Sequence, residues 1–163
     1  MTSVGADYSS KAVYLASVSD KIVLRTSTIE IQNNNIELFL RELEDELRNF
    51  HWMHNNKYIW IEQPWVETLL RPMSGLQLAR MATYIEVVAI RMARLIPQFV
   101  HPGTWRKEIY GNGRPKDAKE LARQFVDDKF NFKTKYKYEH NICEAILISH
   151  YGNLQAEKLI INK

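Results

Sequence analysis

The sequence predicts a mixed α/β domain, and three observations predict it. Short β-branched segments separated by turn residues open the chain, helical stripes alternate with short apolar runs through its middle, and helical patterns close it. Residues 4–8 read as a first strand and 12–18, richer in small and β-branched residues, as a second. Residues 22–31 alternate loosely through Ile22, Leu24, Thr26 and Thr28 and read as a third, joined to the second by a hairpin turn at Ser19-Asp20. Asn33, Asn34 and Asn35 then offer an N-cap ahead of the stripe Ile36, Phe39, Leu40, Leu43 and Leu47. Residues 58–62 return to strand before Pro64, and 76–95 carry helical periodicity with few breakers, predicting one long helix. Residues 96–100 form a last short strand, closed by Pro102 and Gly103. Two helices are expected over 115–126 and 139–150, with a mobile, polar loop over 128–138 between them.

Composition bounds the function. No repeat, low-complexity tract or linker divides the 163 residues, so 1–163 is expected to be one domain. Apolar stretches are interrupted by Arg or Glu within about ten residues, short of the roughly 20 needed to cross a membrane. The first seven residues lack the basic and apolar regions of a signal peptide, and the single cysteine, Cys143, allows neither an internal disulfide nor a Cys-based zinc site. The expectation is a soluble, cytoplasmic protein with no membrane partner. The net charge of +3 is small, but its distribution is uneven. Between His101 and His140 there are ten Lys/Arg against six Asp/Glu; the rest of the chain has twelve against thirteen. A phosphate-contacting surface requires such a concentration, although an ordinary solvated face produces one too.

Three carboxylates stand where phosphodiester chemistry would need them. Hydrolysis by two metal ions about 4 Å apart calls for hard oxygen ligands converging from separate elements. Asp7 ends the first strand within Gly5-Ala6-Asp7-Tyr8-Ser9-Ser10, Glu62 ends the strand 58–62, and Glu144 lies on the last helix. Taken singly, Asp7 reads as a turn residue and Glu62 as a solvated strand end. Glu144 is odder, because Ile142, Cys143, Ala145, Ile146 and Leu147 surround it, and a carboxylate there is costly unless paired or bound to metal.

Together the three motifs resemble the RuvC-type Holliday-junction resolvases. Gly5-Ala6-Asp7-Tyr8-Ser9-Ser10 is similar to that family's first-strand motif and Ile61-Glu62-Gln63-Pro64-Trp65 to its second. Glu144-Ala145-Ile146-Leu147-Ile148 with Tyr151-Gly152 is similar to the final motif of its phage-type members. The order fits, with 55 residues from Asp7 to Glu62 and 82 from Glu62 to Glu144, and the likeness spans roughly 4–152. It implies an RNase H-like fold, a central mixed sheet with its first three strands antiparallel and helices on both faces. It also implies a structure-selective endonuclease of four-way DNA junctions in recombination, repair or genome processing. Two Mg²⁺ ions per site, with Mn²⁺ able to substitute, would be held by Asp7, Glu62 and Glu144. The chain departs from the family in having Glu144 where Asp is usual. Asn141 stands three positions earlier, where many members have an acid or a histidine, and His140 precedes it. Both share a helical face with Glu144, so either is a candidate for the fourth position.

The resemblance places Trp65 at an aromatic position that stacks on bases at an opened junction; a core tryptophan is the plainer alternative. Around the Gly111-Asn112-Gly113 turn, Arg106, Lys107, Arg114 and Lys116 are candidates for DNA contact. The resemblance implies Lys116 as the basic residue near the scissile phosphate, with Lys119 its neighbouring alternative because the register across the turn is open. Lys133, Lys135 and Lys137, interleaved with Phe130, Phe132, Tyr136 and Tyr138, suit a surface that tracks a single strand, or else a charge-protected edge strand. His51 and His54 read as ordinary loop residues. A four-way junction has two-fold symmetry, so a homodimer is expected, with the 76–95 helix as much of its interface. The competing readings are an RNase H-fold nuclease of flaps, forks or hybrids, and a catalytically inactive relative that binds branched DNA.

Overall fold

The computed structural model describes residues 2–64, 72–111, 117–136 and 139–161. Strands β1 (Ser3–Tyr8), β2 (Ala12–Ser19) and β3 (Ile22–Glu30) come first. Helix α1 (Ile36–His54) leads to β4 (Tyr58–Glu62), and α2 (Pro72–Val88) precedes β5 (Ile96–Val100). Helices α3 (Pro102–Tyr110), α4 (Ala118–Lys129) and α5 (His140–Ile161) follow. The sheet order is β3-β2-β1-β4-β5. The first three strands are antiparallel, β4 runs parallel to β1, and β5 parallel to β4. The expected mixed sheet is therefore present.

Local chemistry sets the boundaries. The second hairpin turns through Asp20 and Lys21, both at positive φ (45° and 65°), one residue beyond the expected turn. Positive φ at both central residues matches the right-handed twist of the flanking strands. Asn35 caps α1 by accepting from the Leu38 amide at 3.0 Å, and Phe39, Leu43, Leu47 and Phe50 form its buried face. That helix continues to a left-handed Asn55, so His51 and His54 belong to its last turn rather than to a loop.

The helices differ from expectation at several boundaries. The helix predicted over 76–95 begins at Pro72 and keeps α geometry only to Val88. Ala89–Ala93 form a π-helical turn that stops at left-handed Arg94 (φ 57°). Its apolar residues continue through the change of pitch, so periodicity does not show it. Helix α3 was not expected at all. Pro102 and Gly103 read as breakers, but Pro102 lies in the first helical turn, where its missing N–H costs nothing. The His101 ring accepts the Gly103 amide there at 3.1 Å. Helix α4 starts at Ala118, behind an Asp117 cap that accepts from the Glu120 amide at 3.1 Å, and α5 runs on to Ile161. The described part of the expected mobile loop, 128–136, is anchored. Phe130 is buried, Asn131 Oδ1 accepts the Val23 amide at 2.6 Å, and the Thr134 amide donates to Asp127 at 2.8 Å.

Helices cover both faces of the sheet. Val4, Ala6, Val13, Leu15, Ile59 and Ile61 meet Phe39, Leu43, Leu47, Met81 and Ile85 from α1 and α2. Ala16, Val18 and Val100 meet Trp105, Ala122, Val126 and Ile146 from α3, α4 and α5. Helix α5 lies directly against β1, and glycine permits it: a Cβ on Gly5 would run into the Ala145 carbonyl and the Ser149 amide. Hydrogen bonds then fix the helix along its axis. Ser149 Oγ donates to the Ser3 carbonyl at 2.8 Å and accepts the Val18 amide at 3.0 Å. Asn153 Nδ2 donates to the Val18 carbonyl at 2.7 Å, and Ser3 Oγ donates to the Ser149 carbonyl at 2.9 Å. The β2–β3 register shifts between Ser17 and Val18. At that irregularity, helix side chains take up both backbone groups of Val18. Among the described residues no helix is long and apolar enough to cross a membrane.

Candidate active site

The three carboxylates come together at one end of the sheet. Asp7 is the penultimate residue of β1 and is buried. Glu62 ends β4, whose parallel register beside β1 pairs Ala6 with Ile61 and so sets Glu62 next to Asp7. Glu144 is buried on the early part of α5, one residue before the Ala145 carbonyl that rests on Gly5. The close approach of helix and strand therefore brings Glu144 over the end of β1. Tyr8 braces the neighbouring strands, its hydroxyl donating to the Glu62 carbonyl at 2.7 Å.

The helix that sequence reasoning missed supplies the rest. Trp105, fully buried on α3, donates its indole N–H to Glu62 Oε2 at 2.7 Å. Arg106 donates through Nη2 to Glu144 Oε1 at 2.7 Å and stands 3.6 Å from Glu62 Oε2. Its guanidinium lies 4.9 Å from the centre of the Trp105 ring. Arg106 was expected to contact DNA; the structure places it among the carboxylates. The signal available was an aromatic–cation pair three and four residues after a proline that can start a helix.

Burial and crowding dominate the electrostatics. Burial lifts the Asp7 carboxyl well above the usual range, and the charges of Glu144 and Glu62 lift it further, against the Tyr8 amide and Arg106. Glu62 is pushed to about 7, first by burial. Arg106 opposes that rise, the Glu144 charge adds to it, and the Trp105 hydrogen bond opposes it. The Tyr8 phenol is raised by burial and then by Glu62 and Asp7, so it stays a neutral donor. One guanidinium does not offset three carboxylates, and the site favours either protons or additional positive charge.

The donor set fits a hard divalent cation. Three carboxylates from three elements surround a place that a guanidinium already occupies between two of them. Arg106 Nε and the Tyr110 hydroxyl are buried and have no hydrogen-bond partner among the described residues, so the site also carries donors suited to water or phosphate oxygen. With the guanidinium in place, no group of three or more His, Cys, Asp or Glu side chains among the described residues is gathered closely enough to grip one ion. The carboxylates are within electrostatic reach of one another, but Glu62 and Glu144 are held by Arg106 and Trp105.

The remaining candidates are dispersed. The side chains of His140 and Asn141, half-buried in the first turn of α5, form no hydrogen bond among the described residues, so the geometry leaves the choice between them open. Lys107 and Lys119 are exposed on α3 and α4. Lys133 and Lys135 are exposed; the Lys133 ammonium donates to the Asp127 carbonyl, and the Lys135 amide to Glu139 at 2.6 Å. Phe130 and Phe132, expected to stack on bases, pack instead on the core beneath α4 and α5, and the segment forms no edge strand among the described residues. Trp65, Arg114, Lys116 and Lys137 lie outside the described residues.

No protein-family profile and no curated protein matches the sequence. Solved structures do. Thermus thermophilus RuvC in complex with a Holliday junction substrate superimposes with a TM-score of 0.77 at 14% identity, covering 96% of this chain and 94% of that one. A second Thermus thermophilus RuvC structure gives 0.74 at 12% identity, covering 97% and 96%. The yeast mitochondrial Holliday junction resolvase gives 0.57 at 15% identity, covering 91% and 75%. At such identities the likeness establishes the fold, which is the RuvC-type, RNase H-like one.

Proposed function

We propose that this chain is a divalent-metal-dependent endonuclease that hydrolyses phosphodiester bonds at four-way DNA junctions. One observation carries the reading. Asp7, Glu62 and Glu144, from β1, β4 and α5, converge in a largely buried cluster that one guanidinium leaves under-neutralised. They do so on a fold shared with a protein whose structure was solved on a Holliday junction. An anionic cluster of this kind is a poor place for a DNA phosphate unless cations accompany it, and a good place to bind those cations.

In this reading Asp7, Glu62 and Glu144 hold two Mg²⁺ ions, with Mn²⁺ able to substitute. His140 or Asn141 is the candidate fourth ligand. When bound, the ions supply Lewis acidity at the scissile phosphodiester. The chain's own contribution is positional. Trp105 fixes the Glu62 carboxylate, Tyr8 ties β1 to β4, and the Gly5 contact seats Glu144. Trp65 would stack on an unpaired base, while Arg114, Lys116, Lys119 and the lysines of 133–137 would take backbone phosphates.

Two strands of a junction are cut symmetrically only if two sites face each other across a two-fold axis. Helix α2 and its π turn suit that interface, because Met73, Leu76, Val87 and Ile90 are exposed along them. Such an enzyme works where DNA is, in the cytoplasm of a cell or of a phage's host. The reading is tested by Mg²⁺-dependent cleavage of matched junction, fork and duplex substrates. Preferential, symmetric nicking of the junction is expected. Faster cleavage of forks or flaps would make those the substrate, and tight junction binding with no cleavage in Mg²⁺ or Mn²⁺ would make the chain an inactive binder.

A further inference from the structure

We propose that Arg106 is the resident counter-ion of the carboxylate cluster and competes with divalent metal for it, so that this side chain sets the metal concentration at which the site loads. The inference rests on the metal-dependent reading for the identity of the competitor.

The geometry is that of a cation in a cation's place. The guanidinium lies 2.7 Å from Glu144 and 3.6 Å from Glu62, and the three side chains are 28%, 7% and 19% exposed. Arginine stays charged across the accessible pH range, so it does not vacate the position by losing a proton. Only rotation of the side chain frees the two carboxylates. A planar fork bonded to one carboxylate and offset from the other does not draw three carboxylates onto a single point, which accounts for their ungathered arrangement.

The surroundings permit the exchange. Trp105 bonds Glu62 independently of Arg106, so that carboxylate keeps its orientation when the guanidinium leaves. The guanidinium rests over the Trp105 ring, and its Nε has no hydrogen-bond partner among the described residues, so it is incompletely tied. A protein whose metal-competent state is only a fraction of the whole binds metal more weakly by that fraction. Removing the competitor removes that reduction.

The test needs neither DNA nor turnover. Mn²⁺ binding is titrated by electron paramagnetic resonance of the free ion, and thermal melting is followed with and without Mn²⁺, for wild type, Arg106→Ala and Arg106→Met. Arg106→Met keeps most of the packing on Trp105 if the alanine variant folds poorly. Both variants are expected to bind Mn²⁺ about tenfold more tightly than wild type, a factor typical of coupling between two ligands of one site. They should melt lower without metal and recover a larger share of their stability with it. Unchanged or weaker Mn²⁺ affinity in the folded variants overturns the inference and leaves the metal-dependent reading standing. Absence of Mn²⁺ binding in wild type and variants alike overturns both.

Discussion

The two ends of the contact between α5 and the sheet treat buried polarity in opposite ways. Around Ser149 and Asn153 every buried group is neutral, and the groups of Ser3, Val18, Ser149 and Asn153 answer one another at 2.7–3.0 Å. About two turns earlier on the same helix, Glu144 meets Asp7 and Glu62 with one guanidinium between them, and two buried donors go unanswered among the described residues. Satisfied neutral polarity costs little and fixes position, whereas crowded like charge is unstable unless something binds. The first end works as a clamp that makes the second end possible.

The largest effect should follow from touching the charged end. Asp7→Asn and Glu62→Gln are each expected to reduce Mg²⁺-dependent junction cleavage to background while junction binding stays near wild type, measured by gel cleavage and by equilibrium binding on the same substrate. Cleavage near the wild-type rate in either variant would take that carboxylate out of the chemistry.

Next comes the contact that joins the ends. Gly5→Ala places a methyl against backbone atoms of α5 that have no rotamer to escape into. A loss of about 3 kcal/mol or more is expected in urea unfolding, at the upper end for overpacking. At the clamp, Ser149→Ala strands the Val18 amide and should cost about 1–3 kcal/mol in the same measurement.

Smaller, and opposite in sign, is the effect of Asp7→Asn on stability without metal. It replaces a carboxyl whose ionisation burial and two neighbouring carboxylates oppose by a neutral isostere, and stabilisation of about 1 kcal/mol near neutral pH is expected. The pH dependence follows the same logic. The folded protein holds protons on Asp7, and on Glu62 up to about pH 7, that the unfolded chain releases near pH 4. Metal-free stability should therefore be fullest below about pH 4 and decline as pH rises through 7. Thermal melting across that range should show a shallower decline in Glu62→Gln and, if the site loads as proposed, in wild type with Mg²⁺. Identical slopes in all three would mean that the cluster is not under charge strain.

Much of the fold was legible because its signals are local. Asparagine before an apolar stripe capped α1, and the apolar runs 58–62 and 96–100 became β4 and β5 with the expected limits. Helix α3 was not legible, since Pro102-Gly103 ends one element and begins another with the same residues. The π turn after Val88 was hidden for a related reason: a change of pitch leaves the apolar content unaltered. Asp7, Glu62 and Glu144 could be singled out from strand ends and from a charge set in apolar sequence. Trp105 and Arg106 could not be assigned to them, because nothing local says which way a nine-residue helix faces.

By itself, then, the sequence determined most of the element types and the antiparallel opening of the sheet, since short-range periodicity, capping and turn chemistry suffice for these, while the three acids became one candidate site only through the resemblance of their motifs. Only the tertiary structure decided how the acids are compensated. That Glu144 lies over β1 depends on a glycine 139 positions away, and that Arg106 stands between two carboxylates depends on the packing of α3 beside α5. Long-range packing fixes distances between charges, and the interaction of buried charges depends on those distances far more than on the residues that separate them along the chain.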